Sequence, residues 1–167
     1  GTVYVTPRVE TPTIIISKDN GFSWSERTMG EDVGTPYPRK NSEVATDTDS
    51  NAYHVWTGPG GSDAEGEFYG EGIYMSRSTD SGDSWEQDSI RISPIEVVSY
   101  AFPQIDAGDP GRIAVMYLGS ENANELGQPN LDGAAWNGNA HYANSNVSYH
   151  LYVTYSLNAL DENPVFH

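Results

Sequence analysis

The sequence predicts an all-β chain made of repeated strand–turn–strand units, and three observations carry that expectation. Turn formers dominate: 17 Gly and 10 Pro stand beside 11 Tyr, and no stretch sustains a helical period of apolar residues. An eight-residue pattern is written twice. Ser17-Lys18-Asp19-Asn20-Gly21-Phe22-Ser23-Trp24 returns as Ser78-Thr79-Asp80-Ser81-Gly82-Asp83-Ser84-Trp85, so S-x-D-x-G-x-S-W recurs at an offset of 61 (17 to 78). A second, looser repeat has the same offset (44 to 105). It aligns Val44-Ala45-Thr46 and Ala52-Tyr53-His54-Val55-Trp56-Thr57-Gly58 with Ile105-Asp106-Ala107 and Ile113-Ala114-Val115-Met116-Tyr117-Leu118-Gly119.

Every fixed position of the eight-residue pattern has a physical role. Gly21 and Gly82 supply the positive φ of a tight turn. Ser17, Asp19, Ser78 and Asp80 can bond the turn's own amides. Trp24 and Trp85 are the anchors, each able to contribute roughly 2–3 kcal/mol by buried area.

In chain order, a strand over 3–6 is followed by a proline-bounded loop and a second strand over 13–17, which leads into the first pattern and a return over 26–29. Residues 30–41 hold two prolines and two glycines, which forbid regular pairing. Strands at 43–47, 52–57 and 72–78 lead into the second pattern and a return over 89–93. Strands at 103–107 and 112–118 follow, then a long insertion and a strand over 148–156. Ser156 and Asn158 stand where a third pattern is due, without its Gly and Trp. The step from Ser78 to Ser156 exceeds the earlier offset by 17, so the third unit is enlarged. Four strands in about 60 residues point to a β-propeller rather than a sandwich. The units fall at about 1–41, 42–101 and 102–167, one partial propeller.

The doubled pattern resembles the Asp-box of the sialidase-like (BNR-repeat) β-propellers, and its two copies lie at blade spacing. The resemblance implies that each box is the hairpin between the third and fourth strands of a blade, a folding device away from the active site. It also implies a larger, six-bladed ring. This chain is then an arc of about 2.5–3 four-stranded antiparallel blades, completed by remaining blades or by a second chain. Such an arc leaves apolar surface at both flanks. The start at Gly1-Thr2-Val3-Tyr4-Val5 and the stop at Pro164-Val165-Phe166-His167 read as a chain cut from something larger.

Charge narrows the partners. Eight Lys and Arg against 24 Asp and Glu give a net −16 and a pI near 4.3. Nucleic acid is excluded, because phosphate binding needs a basic surface, and anionic membranes are disfavoured for the same reason. No apolar run approaches the roughly 18 residues of a membrane span. With no cysteine there is no disulfide, thiol nucleophile or thiolate metal site. The surface is expected to be acidic, solvated and secreted or exposed at a cell surface. The Asn146-Val147-Ser148 sequon fits that setting.

Candidate functional residues lie on the face opposite the boxes, in loops 7–12, 30–40, 58–70, 92–101 and 119–147. Sialidases similar to this chain clamp a substrate carboxylate with three arginines and use a Tyr/Glu pair with an Asp acid/base. Arg8 and Arg39 are the arginines that fall on that face, and the family's Arg-Ile-Pro opening is absent. In the enlarged loop, Trp136, His141 and Tyr142 stand among amides that suit a sugar. Trp136 serves equally well to pin the loop. Glu96, Tyr100 and Asp106 are further candidates near the start of an inner strand, with packing the alternative for Tyr100. Asp47-x-Asp49-x-Asn51 has the alternate-oxygen spacing of calcium loops, making calcium the one cofactor admitted, with a plain hairpin turn as the other reading. His54, His141, His150 and His167 lack metal-ligand spacing. Two functions remain in view. One is an extracellular glycan-directed propeller, part of a sialidase-like glycoside hydrolase. The other is a non-catalytic Asp-box propeller for adhesion, surface assembly or glycan binding.

Overall fold

A computed structural model describes residues 1–7, 12–29, 42–58, 72–97, 99–121 and 149–167. The described residues hold no helix, and ten strands form three antiparallel sheets. The first sheet is β1 (Val3–Val5), β2 (Thr13–Ser17) and β3 (Ser25–Thr28). The middle sheet is β4 (Ser42–Thr46), β5 (Ala52–Gly58), β6 (Gly72–Ser78) and β7 (Ile90–Arg91). The third is β8 (Ser99–Ala107), β9 (Ile113–Ser120) and β10 (His150–Ser156). Each is a meander, neighbours in sequence being neighbours in space.

The registers place the strands in a common frame. Val3 pairs with Ser17 as Ala52 pairs with Ser78, so β1 to β3 take the places of β5 to β7. Likewise β8, β9 and β10 take the places of β4, β5 and β6. The edge that β7 would fill is opened by one pair: His167 and Tyr155 exchange both backbone hydrogen bonds at 3.0 Å.

Alternation decides how the sheets stack. In β5 and β6 every residue but Thr57 is buried, because both faces of the middle sheet are covered. One face carries Ala52, Trp56 and Tyr74, which pack with Ile14, Ile16 and Met29 of the first unit and with Trp85. The other carries Tyr53, Val55, Ile73 and Met75, which meet Ile113, Val115, Tyr117 and Tyr100 of the third sheet. Among the described residues the first and third sheets are covered on one face each, and Val3, Val5, Met116, Leu151, Val153 and Tyr155 are exposed.

β8 begins at Ser99, earlier than the strand expected at 103. Pro103 lacks an N–H, so the ladder slips between Ala101 and Gln104 and resumes beyond it, with Phe102 at φ 55°. β7 is shorter than expected, two residues instead of five, and Ile92 continues its ladder with one bond to Ile73.

Candidate functional site

At one end of the stacked sheets lie the turns that close β2–β3, β4–β5, β6–β7, β8–β9 and the segment after β10. The two eight-residue turns, the boxes of the sequence pattern, are there, and their side chains make the same bonds twice. Ser17 Oγ accepts the Gly21 amide at 2.7 Å and donates to Asp19, while Asp19 accepts the Ser23 amide at 2.8 Å and its hydroxyl at 2.6 Å. In the second box Ser78 accepts the Gly82 amide at 2.8 Å, and Asp80 accepts from the Ser84 amide and hydroxyl. These donors favour the ionised carboxylate. Chiefly through Ser23, the Asp19 pKa is lowered to about 2, and Ser84 holds Asp80 lower still. Gly21 and Gly82 sit at φ 93° and 88°. The decayed third turn keeps part of the scheme: Ser156 Oγ accepts the Asn158 amide at 3.2 Å, and Asn158 Oδ1 accepts the Val165 amide at 3.0 Å.

The two anchors differ. Trp85 is buried against Tyr4 and His54 at ring distances of 6.4 and 6.3 Å. Trp24 is half-exposed and turns its indole N–H back to the Gly21 carbonyl at 3.1 Å. Among the described residues no sheet stands in front of the first unit as the first unit stands in front of the second.

The same end stitches the middle sheet to the third. Asp47 is an acceptor hub for the amides of Asp49 and Asn51, the Asn51 side chain and the Tyr53 hydroxyl at 2.7 Å. Burial pushes its pKa up, but the bonds from Tyr53 and Asn51 outweigh that and hold it below the usual range. Both Asp47 oxygens are filled by donors in a hairpin turn, so a cation there would have to displace them. Among the described residues no group of three or more His, Asp or Glu is placed to hold a metal ion. Tyr53 OH also accepts the Gly111 amide at 3.0 Å, and the Gly111 carbonyl accepts the Ala159 amide at 2.8 Å. Arg77 crosses the same seam, bonding Glu86 at 2.8 Å and the carbonyls of Ala159 and Asp161.

At the opposite end a hydrogen-bonded cluster joins the middle and third sheets. Arg91 donates to the carbonyls of Ser93, Pro94 and Val97 and to Tyr100 OH, at 3.2–3.4 Å. Tyr100 OH donates to the Pro94 carbonyl at 2.9 Å. Beyond it runs a row of rings: Tyr100 to Tyr117 at 5.7 Å, and Tyr117 stacked on Tyr152 at 5.6 Å. Tyr152 OH reaches Glu121 at 2.9 Å on the rim. Burial pushes the Tyr100 phenol up to about 12 and raises Tyr117, while the bond to Glu121 raises Tyr152. All three phenols are therefore neutral at pH 7. Tyr100 and Tyr117 are buried, with Tyr117 OH paired to Thr154 at 3.1 Å, and half-buried Tyr152 is the member at the rim.

Of the residues expected to bind substrate, Arg8, Arg39, Trp136, His141 and Tyr142 all lie outside the described residues. Tyr100 is buried and bonded to Arg91, and Glu96 is exposed on the loop that Arg91 clamps. Asp106 is not with them. It is the penultimate residue of the nine-residue β8, so it lies towards the box end, roughly 20 Å along the strand from Tyr100. Arg91, Tyr152 and Glu121 were missed from sequence. The alternation that sends Tyr117 and Tyr152 to one face was the signal that could have found Tyr152. No family model matches the chain, and no curated protein matches it either.

Proposed function

We propose that this chain is an arc of a sialidase-like Asp-box β-propeller, extracellular or cell-surface, and that it is directed at glycans from the end opposite its boxes. The observation that carries this reading is the doubled box. Two copies of one eight-residue turn, opening at Ser17 and at Ser78, close with the same Ser–Asp–Ser bonds, each bridging the last two strands of a meander. These turns and their neighbours are committed to holding units together, which leaves the opposite end for recognition. That end presents Tyr152 beside the Glu121 carboxylate, backed by the buried rings of Tyr117 and Tyr100. The sequence adds Trp136, His141 and Tyr142 from the segment joining β9 to β10. Aromatic faces against the C–H faces of a pyranose, with amides for its hydroxyls, are the chemistry of sugar binding.

Within this reading the described arginines favour binding or surface assembly over hydrolysis. Arg77 is consumed by Glu86 and two carbonyls, Arg91 by the 93–97 loop, Arg112 faces Asp109 at 3.6 Å, and Arg27 bonds the Glu26 carbonyl. Arg8 and Arg39 are the two left to meet a sugar carboxylate. Glycan-array binding together with release of a fluorogenic sialoside tests the proposal. The expected outcome is glycan binding lost in Trp136→Ala without sialoside turnover. Turnover abolished by Arg39→Ala would favour the hydrolase, and neither binding nor turnover would sink the glycan reading.

A further inference from the structure

Among the described residues, the two uncovered flanks of the stack are the two halves of one joint that already exists twice inside it. In the joint between the middle and third sheets, the middle sheet contributes Tyr53, Val55, Ile73, Met75 and Arg77. The equivalent positions in the third sheet, found by laying β9 on β5 and β10 on β6, are Ala114, Met116, Leu151, Val153 and Tyr155. Register agrees, since Leu151 pairs with Leu118, Val153 with Met116 and Tyr155 with Ala114. All of these point away from the middle sheet, with Leu151 63% and Val153 59% exposed.

Among the described residues the other half of the joint is uncovered on the first sheet. Where the middle sheet meets the first it uses Ala52, His54, Ser76 and Trp85, all buried. Their equivalents in the first unit are Val3, Val5, Ile15 and Trp24. Val3, Val5 and Trp24 are exposed, Val5 by 43% and Trp24 by 48%. The leading flank thus has the pattern of a surface that receives a preceding sheet, and the trailing flank that of a surface that receives a following one.

We propose that a second copy of this chain docks head to tail, its first sheet covering the third sheet of the first copy. A second copy is the occupant whose complementary surface is itself described, position for position, and it satisfies both flanks with one contact. The contact is heterologous, so it admits a closed ring or a linear series. It is apolar between partners that each carry −16, so added salt strengthens it by screening their repulsion.

Light scattering over a concentration and salt series tests this on the whole chain, with Val153→Glu on the trailing flank and Val5→Glu on the leading one. The wild type is expected at a multiple of 18.2 kDa, more so at high salt. Each variant alone is expected to be monomeric, with the wild-type circular dichroism and melting cooperativity, because both sites are solvent-facing. Mixing the two variants is expected to restore a dimer, because one intact contact remains between unlike copies. If Val153→Glu melts early, Leu151→Gln replaces it. A wild type that is monomeric throughout, as when further repeats or another protein cover the flanks, overturns the proposal. So does an oligomer that survives either substitution, or a mixture that stays monomeric.

Discussion

Trp24 and Trp85 end the same eight-residue pattern, yet Trp24 is 48% exposed and Trp85 7%. The difference comes from what stands in front of each ring. Tyr4, Ile14 and Ile16 of the first unit close over Trp85, and among the described residues nothing equivalent closes over Trp24. Trp85→Ala is expected to cost about 3–5 kcal/mol, the range for emptying a large buried site. Trp24→Ala is expected to cost about 2 kcal/mol, in proportion to its smaller buried area. Urea unfolding of dilute chain checks both, and equal costs would contradict the stacking order.

Arg77 joins units that are distant in sequence, lying 82 positions from Ala159. Its truncation leaves the Ala159 and Asp161 carbonyls without their donor and frees Glu86. Arg77→Ala is expected to destabilise by about 2–4 kcal/mol, since bonds to a buried cation are among the stronger ones. Arg77→Lys recovers less than half, because one ammonium cannot span three acceptors set for a planar fork. Thermal melts of the two variants decide the order.

The turn glycines separate backbone strain from crowding. Both have positive φ, so either alanine substitution is expected to cost about 1–2 kcal/mol from conformation alone. A Cβ on Gly21 meets nothing nearer than Trp24 at 3.6 Å, whereas one on Gly82 falls 2.8 Å from the Tyr4 ring. Gly82→Ala should therefore be worse than Gly21→Ala by at least about 1 kcal/mol. Equal losses in chemical denaturation would contradict it.

Acid should loosen the boxes. Asp19 is held at about 2 in the folded chain and returns towards its ordinary 3.8 when unfolded. Asp80 is displaced in the same direction. The folded carboxylates bind protons less readily than the unfolded ones, so their contribution is complete above 3.8. It is lost as pH falls from there through about 2. The urea midpoint of the wild type should fall across that window, and the Asp19→Asn, Asp80→Asn double variant should begin lower and fall less. A double variant that falls as steeply would assign the acid sensitivity to other carboxylates.

Much of the scaffold was legible in the sequence. The repeated turns, their common period and the strands at 13–17, 52–57 and 72–78 could be read because turn chemistry and alternation are local signals. The ends of β7 and β8 could not. β7 ends early because the 93–97 loop is clamped by Arg91, and β8 runs across Pro103 through a bulge, both tertiary effects. The equal treatment of Trp24 and Trp85 failed for a related reason: a pattern specifies a turn, but the neighbouring sheet decides burial. In the Arg91–Tyr100 cluster, Tyr100 was singled out by its loop, while Arg91 and Glu121 emerged through contacts across strands that no single stretch encodes.

The doubly covered middle sheet also sets how the molecule comes apart. β5 and β6 have packed neighbours on both sides, whereas β1, β3 and β10 each lean on one. Amides of Tyr53, Val55, Ile73 and Met75 should then exchange with solvent hydrogen last, through whole-molecule opening. Those of β3 and β10 should exchange first, by local fraying. The chain is in this sense a graded cooperative unit that unravels from its flanks inward, with its most persistent structure furthest from either terminus.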